Sequence, residues 1–411
     1  MTRILIINDY SIKNNDAVGI TLRNLFLESG SDFEVMEIFK KSKTNQVPLE
    51  VKSLKVSPKV MPIYSFFNYL KAKKNKGIAS EKLSTVNNSS NIKSKIKDYI
   101  MFYSEYIMFI DNREIKKIRN FNPEYIYTVG GSVFSLKYSL NISKKLNIPL
   151  VIHYMDNWKE TLFNGSKILN KKLNYLVTLI DRQASSIISI SDKMRKSYTK
   201  KNNASKMYVL MNPVNPFIKE IDNNENIKGK KNISFIGGVH LNRWEELLDI
   251  ASIIKKNNLE NKVNILIYSN SPRTKEFNKL FENNVIIDCG NLPHEELYKA
   301  YQKSDVLLHV ESFNKTVMQY TKFSMSTKIP EYMAIQKPIL YYGPANIAVG
   351  EYISEHKVGL VSSNEVELLD ALEIIIEQKN ELDLYIENGK KVVENQYSIE
   401  HAQEILSAIF K

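Results

Sequence analysis

The sequence predicts an α/β protein made of two doubly wound parallel sheets, and three observations carry that expectation. Short apolar runs ending in glycine or a polar residue alternate with helical patterns along the chain, the grammar of strand–helix–strand units. The alternation runs to about residue 215 and starts over near residue 231. With 411 residues the chain exceeds one ordinary core and suits two domains of about 200 residues each.

Composition narrows the class. With 43% hydrophobic and 25% charged residues the chain has a soluble globular composition. Cys289 is the single cysteine, which excludes an intramolecular disulfide and favours a reducing cytoplasm. The six histidines, at 153, 240, 294, 309, 356 and 401, show no metal-ligand spacing, and no metal site is expected. The first apolar run, Ile4 to Ile7, stops at Asn8-Asp9, too early for a signal peptide or a membrane span. No later run of about 18 apolar residues appears, so nothing is expected to span a bilayer.

The net charge of +12 is concentrated. Residues 51–120 hold 15 Lys and Arg against 5 Asp and Glu, so the partner implied by the charge lies near that segment.

Ile4 to Asn8 reads as the first strand. Asp16 to Thr21 leads into a helix through Leu22, Leu25 and Phe26, and Gly19 allows a close backbone approach there, as ligand loops of parallel sheets require. No Gly-x-Gly-x-x-Gly occurs, which disfavours the usual dinucleotide site. Residues 33–39 read as a second strand.

Residues 51–120 read as a basic insertion. Phe66 and Phe67 lie in an aromatic run, and Lys71, Lys73, Lys74 and Lys76 follow at once. Rings beside ammonium groups suit an anionic membrane surface, and an exposed lysine face beside core aromatics is the competing reading. Ser84 to Ser94 reads as a loop, and Ile96 to Ile110 as an apolar helix, buried or interfacial. No nucleic-acid module accompanies the charge, so nucleic acid is not expected.

Tyr125 to Gly131 is again strand-then-glycine, with a helix to Leu146. Pro149 to Asp156 is a buried strand whose polar end sets His153, Asp156 and Trp158 where parallel sheets bind ligands. Ser186 to Ser191 and Met207 to Leu210 complete the first half. Domain one therefore spans 1–215, and the polar residues 216–230 read as a linker.

Domain two, residues 231–395, opens with Asn232-Ile-Ser-Phe-Ile-Gly237-Gly238, with Arg243 near a helix start. Small residues beside a fixed cation can receive a phosphate. Strands recur at 263–268, 285–288, 306–310, 338–342 and 358–361. Ser326-Thr327-Lys328-Ile329-Pro330-Glu331 reads as a capped helix start with proline in its first turn. Its amides would point outward and suit a diphosphate, with Glu331 placed to accept from ribose hydroxyls. Helices at 364–379 and 381–394 follow, and a last helix, within 396–411, is expected to return to the first domain.

With these residues in place, the chain resembles two-Rossmann-domain (GT-B) glycosyltransferases, and among them the retaining glycosyltransferase family 4. The likeness covers nearly the whole length and is strongest from Ile233 to Val361. Ser326 to Ala334, followed by Lys337-Pro-Ile-Leu340, is similar to that family's donor segment, which implies a ribose-holding role for Glu331 and a diphosphate and sugar environment for Thr327 and Lys328. Asn232 to Leu248 resembles the family's first C-terminal strand, glycine turn and helix, where an arginine and a lysine are usual; Gly238 and Arg243 stand there. The resemblance puts Gly19 in the loop facing acceptor and diphosphate, and His153 beside the transferred sugar. It departs at one point. The family's paired glutamates would put a first acid near 323–324, which are Phe323 and Ser324; Glu311 lies twenty residues before Glu331.

The resemblance implies two domains facing across a cleft and a transferase moving a sugar from a nucleotide-diphosphate donor, a UDP-sugar, to a glycan or lipid-linked glycan. The setting would be surface-polysaccharide synthesis, peripheral on the inner face of the cell membrane. No Asp-x-Asp occurs, so the reaction is expected to need no metal and no cofactor. The alternatives are a hydrolysing sugar-nucleotide 2-epimerase and a non-catalytic subunit that keeps the fold.

Overall fold

A computed structural model describes residues 1–27, 32–42, 46–74, 92–163, 165–199, 207–214, 229–293 and 296–411. The chain divides into two compact units, Met1–Asn212 together with Ala402–Lys411, and Pro213–His401.

The first unit carries β1 (Thr2–Tyr10), β2 (Phe33–Lys41), β3 (Lys52–Lys55), β4 (Tyr125–Val129), β5 (Leu150–Tyr154), β6 (Ser186–Ser189) and β7 (Met207–Val209). Around them run α1 (Ala17–Phe26), α2 (Pro62–Lys74), α3 (Ile92–Tyr106), α4 (Asn112–Phe121), α5 (Val133–Leu146), α6 (Trp158–Thr161), α7 (Lys167–Gln183) and α8 (Asp192–Thr199). The strands lie in the order β3-β2-β1-β4-β5-β6-β7, all pairs parallel. Helix-covered parallel strands are buried on both faces, which is why β5 is apolar throughout apart from His153 and every one of its residues is buried. The order reverses at β1, whose Ile4–Ile7 pair with β2 on one side and β4 on the other. The carboxyl ends beside such a reversal are where open parallel sheets hold ligands.

The second unit repeats the plan with β8 (Lys231–Ile236), β9 (Val263–Tyr268), β10 (Ile286–Asp288), β11 (Val306–Val310), β12 (Ile339–Tyr342) and β13 (Leu360–Ser362). Its helices are α9 (Arg243–Lys256), α10 (Lys275–Lys279), α11 (Leu297–Lys303), α12 (Lys315–Thr321), α13 (Lys328–Ala334), α14 (Ala348–His356), α15 (Glu365–Glu377) and α16 (Glu381–Val392). The strand order is β10-β9-β8-β11-β12-β13, so this sheet reverses between β8 and β11. Ile233, Ile265, Leu308 and Leu340 from the strands, with Leu247, Ile250 and Leu372 from the helices, form its core. Both sheets match the α/β expectation.

The last helix, α17 (Ile399–Ile409), returns to the first unit. Ala402, Leu406, Ile409 and Phe410 are buried in one cluster with Phe26, Phe33 and Tyr127. The Phe410 ring meets Phe33 at 5.5 Å and Tyr125 at 5.1 Å between centroids, both edge-on.

Among its described residues the basic segment forms one strand and three helices, β3, α2, α3 and α4. Lys52–Lys55 forms edge strand β3, paired with Met36–Phe39, although Lys-Ser-Leu-Lys, with one apolar residue, gives little strand signal. Helix α3 starts at Ile92, inside the stretch read as a loop, and ends at Tyr106; residues 84–91 of that loop lie outside the described residues. Of the expected linker, residues 216–228 also lie outside them. Among the described residues no helix is long and apolar enough to cross a membrane.

Candidate functional site

The carboxyl ends of β8 and β11 gather the most chemistry. After Ile236 the chain turns through Gly237 at φ 154° and Gly238, against which the His240 ring lies so closely that a Cβ would fall 2.4 Å from its Nδ1. Two consecutive left-handed residues, Leu241 at φ 58° and Asn242 at φ 61°, then start α9. For leucine that conformation is strained, and it brings Arg243, the first residue of the helix, back to the strand ends.

Arg243 donates from Nε to the Val310 carbonyl at 3.0 Å and from Nη2 to Glu311 Oε1 at 2.7 Å. The same Oε1 lies 3.0 Å from His309 Nε2. Glu311 is buried. Burial alone would raise its carboxyl, but Arg243, with His309, outweighs it and holds the group down at about 2. His309 is pushed below the usual imidazole range by its own burial, against the pull of Glu311, and it stacks on Tyr341. Glu311 therefore stays ionised across the physiological range. Its second oxygen, Oε2, is buried without a hydrogen-bond donor among the described residues.

On α13, Lys328 Nζ pairs with Glu331 Oε2 at 2.8 Å, both side chains partly exposed. Burial, then the Glu331 charge, raises the Tyr301 hydroxyl above the ordinary phenol range. The helix start is capped by a hydroxyl residue, as the sequence reading has it, but its first amides do not point outward. Thr327 lies in helical conformation and its side chain caps nothing. Ser326 does the capping: its Oγ accepts from Lys328 N at 3.3 Å and its carbonyl from Ile329 N at 3.1 Å. Pro330 has no N–H, so the first three positions of α13 offer no outward amide. The charge on offer there is that of the Lys328 and Arg243 side chains.

The remaining expected residues belong to the first unit. His153, in β5, is wholly buried, with Nδ1 2.6 Å from the Tyr127 hydroxyl. Burial drives its pKa down to about 3, opposed by the backbone of Leu210, so the ring is neutral. It stands one residue before the end of β5, with its imidazole wholly buried against the Tyr127 hydroxyl. Asp156 is partly exposed just past β5, and Trp158, the first residue of α6, is buried with its indole N–H unpartnered among the described residues.

Gly19 serves its own loop. Its amide donates to Asp16 Oδ1 at 3.0 Å, and a Cβ would fall 2.2 Å from the Asn14 carbonyl oxygen. The close approach it permits is thus to Asn14. Arg23 holds the same loop, donating from Nη1 to the Ile12 and Asn14 carbonyls at 2.8 and 2.9 Å.

Two groups escaped the sequence reading. Lys40, at the end of β2, is buried between Asp9, at the end of β1, and Glu105 of α3. Burial would lower its pKa, and the two carboxylates more than reverse that, so it stays charged. The second is the His309–Glu311–Arg243 contact. His309 in β11 and Glu311, the residue just past its end, are two apart and meet at one oxygen, and that spacing is the signal that could have linked them.

Of the residues read as membrane-facing, Phe66 is exposed and Phe67 partly buried on α2, their rings 6.0 Å apart. Lys71, Lys73 and Lys74 continue α2 to its end, and Lys76 lies outside the described residues. Ile96, Ile100 and Met101 of α3 are exposed, as are Ile107 and Phe109 beyond it.

Two successive doubly wound sheets of this kind define the GT-B class of fold. No protein-family model matches the chain, and no curated protein matches its sequence. Solved structures do match in fold. The sucrose-phosphate synthase of Thermosynechococcus elongatus superposes with a TM-score of 0.66 at 12% identity, covering 100% of this chain and 98% of its own. The α,α-trehalose-6-phosphate synthase of Burkholderia multivorans gives 0.66 at 9%, with 100% and 98% covered. HepE of Anabaena, solved in complex with UDP, gives 0.62 at 11% and covers 99% of each chain. At such identities the likeness is one of fold.

Proposed function

We propose that this protein is a glycosyltransferase moving a sugar from a UDP-sugar to a glycan or lipid-linked glycan, with retention, as the resemblance to glycosyltransferase family 4 implies. The observation that carries the reading is Arg243, a partly buried guanidinium fixed at the carboxyl ends of β8 and β11, where the C-terminal sheet reverses. Arg243 and Lys328 supply positive charge for a diphosphate, and Glu331 accepts from ribose hydroxyls. The UDP complex of HepE and the Escherichia coli trehalose-6-phosphate structure bound with UDP-2-fluoro glucose, which matches with a TM-score of 0.64 at 11% identity, add support from the same fold.

In the reaction the bond from the anomeric carbon to the diphosphate oxygen breaks and a bond from that carbon to an acceptor hydroxyl forms on the same face. The acceptor's proton passes to the departing phosphate. The protein's part is to hold the partners and stabilise the leaving charge with fixed cations, each worth about 2.7–4 kcal/mol in comparable oxyanion sites, so no metal is required. Gly19 and Trp158 belong to the acceptor side of this reading, and His153 and Asp156 to its catalytic group with Glu331, His153 by supporting Tyr127 and the strand ends. The apolar and basic surface of residues 51–120 would rest on the anionic inner face of the cell membrane, where surface-polysaccharide intermediates are assembled.

Calorimetry with UDP, and turnover with a panel of UDP-sugars, test it. Wild-type protein should bind UDP and release it from the matching UDP-sugar only when acceptor is present. Arg243→Ala and Glu331→Ala should each cut turnover by a hundredfold or so while the protein stays folded. Wild-type turnover in either variant rejects the donor site, and release of UDP with sugar inversion and no acceptor favours an epimerase instead.

A further inference from the structure

We propose that Glu311 is a positioning residue that aims Arg243 at the donor's diphosphate. The inference rests on the reading of Arg243 as a diphosphate-binding cation and names what sets its orientation. One edge of the guanidinium, Nε and Nη2, is spent on the Val310 carbonyl and the Glu311 carboxylate. Nη1 makes no hydrogen bond among the described residues, so the contacts to β11 leave a fixed donor edge for an anion. A planar fork held along one side and open along the other suits bidentate phosphate recognition.

Glu311 is itself held. His309 Nε2 lies 3.0 Å from the carboxylate oxygen that Arg243 uses, and the imidazole stacks on Tyr341, whose hydroxyl donates to the Pro344 carbonyl at 2.9 Å. From behind, Gly343 brings backbone so close that a Cβ there would fall 2.6 Å from the Glu311 carbonyl oxygen and 3.1 Å from its amide nitrogen. Backbone, ring and carboxylate thus leave the Arg243 contact little freedom.

Stability alone gives this arrangement a weak rationale. With Glu311 buried and Arg243 partly buried, much of what the pair gains is lost to desolvation, and apolar residues of equal volume commonly match a buried pair. Here one carboxylate oxygen is additionally left without a donor, and the approach to Arg243 runs through two left-handed residues. Such expense concentrated at a strand-end reversal is what orienting a cation requires.

The test is UDP affinity by calorimetry for wild type, Glu311→Gln, Glu311→Asp, Arg243→Ala and Arg243→Ala with Glu311→Asp, each checked for folding by thermal unfolding. Glu311→Gln keeps the length and an acceptor oxygen without the charge, and Glu311→Asp keeps the charge but withdraws it by one methylene. Aiming predicts that Gln stays within about threefold of wild type and Asp weakens UDP about tenfold. It also predicts that Asp adds nothing once Arg243 is alanine. Equal losses in the two Arg243 backgrounds, or an Asp variant that binds like wild type, overturn the inference and leave the donor site standing. A folded wild type without UDP affinity overturns the donor site and this inference together.

Discussion

His153 is held neutral by burial, and that has a consequence measurable without any ligand. Its pKa in the fold is about 3, while the unfolded chain titrates near the ordinary 6.5. Between those values the unfolded chain binds the extra proton and the folded one does not, so stability rises with pH there and is lost as pH falls from about 6.5 toward 3. Glu311 is held at about 2 against an ordinary 4.5, and its contribution is lost later, as pH falls through that lower window. Denaturant unfolding of the first unit at several pH values should show a slope between pH 6.5 and 4.5 that His153→Gln flattens, whatever constant offset the substitution adds. An unchanged slope would mean that the folded ring charges normally. The sequence shows His153 at a strand's ligand end but not the direction of its ring, because Tyr127 lies 26 positions away. Arg243, in contrast, is legible from the glycine turn before it, whereas its partner Glu311 depends on a strand pairing that no local pattern reveals.

At the scale of elements, α2 and α3 hold the open question of the basic segment. Ordinary helices bury their large apolar residues, yet Phe66 is 58% exposed and Ile96 54%, while Phe102 on α3 is fully buried. One face of α3 therefore serves the core and another is left with isoleucines and a methionine. Binding to anionic vesicles should weaken with salt and with Lys71, Lys73, Lys74 and Lys76 changed together to Glu, and Phe66→Ser with Ile96→Ser should remove what salt leaves. Indifference to all three would assign this surface to something other than lipid. Most elements were legible because apolar runs and glycine punctuation are strong signals in buried parallel strands. Strand β3 was not, since an edge strand with lysine at both ends is built to look polar, and the sequence at α13 offered two adjacent hydroxyls without showing that Ser326 is the one that takes up the first amides.

For the whole molecule, the two-sheet plan was readable from the restart of the pattern near residue 231, and the last helix returns to the first unit as expected, but which of its residues seal that unit depends on tertiary packing. Phe410 sits among Phe26, Phe33 and Tyr125. Phe410→Ala should therefore cost about 3–5 kcal/mol in the first unit, read as a lowered thermal midpoint. Removing residues 402–411 should separate the melting of the two units or prevent the first from folding. A variant of either kind that melts like wild type would show the helix to be dispensable. The packing of α17 also sets an order of events during synthesis. At roughly 5–20 residues per second, a ribosome finishes Asn212 on the order of tens of seconds before it reaches Phe410. The half made earlier must wait for residues made later to cover the apolar face that Phe26, Phe33 and Tyr127 share with Phe410.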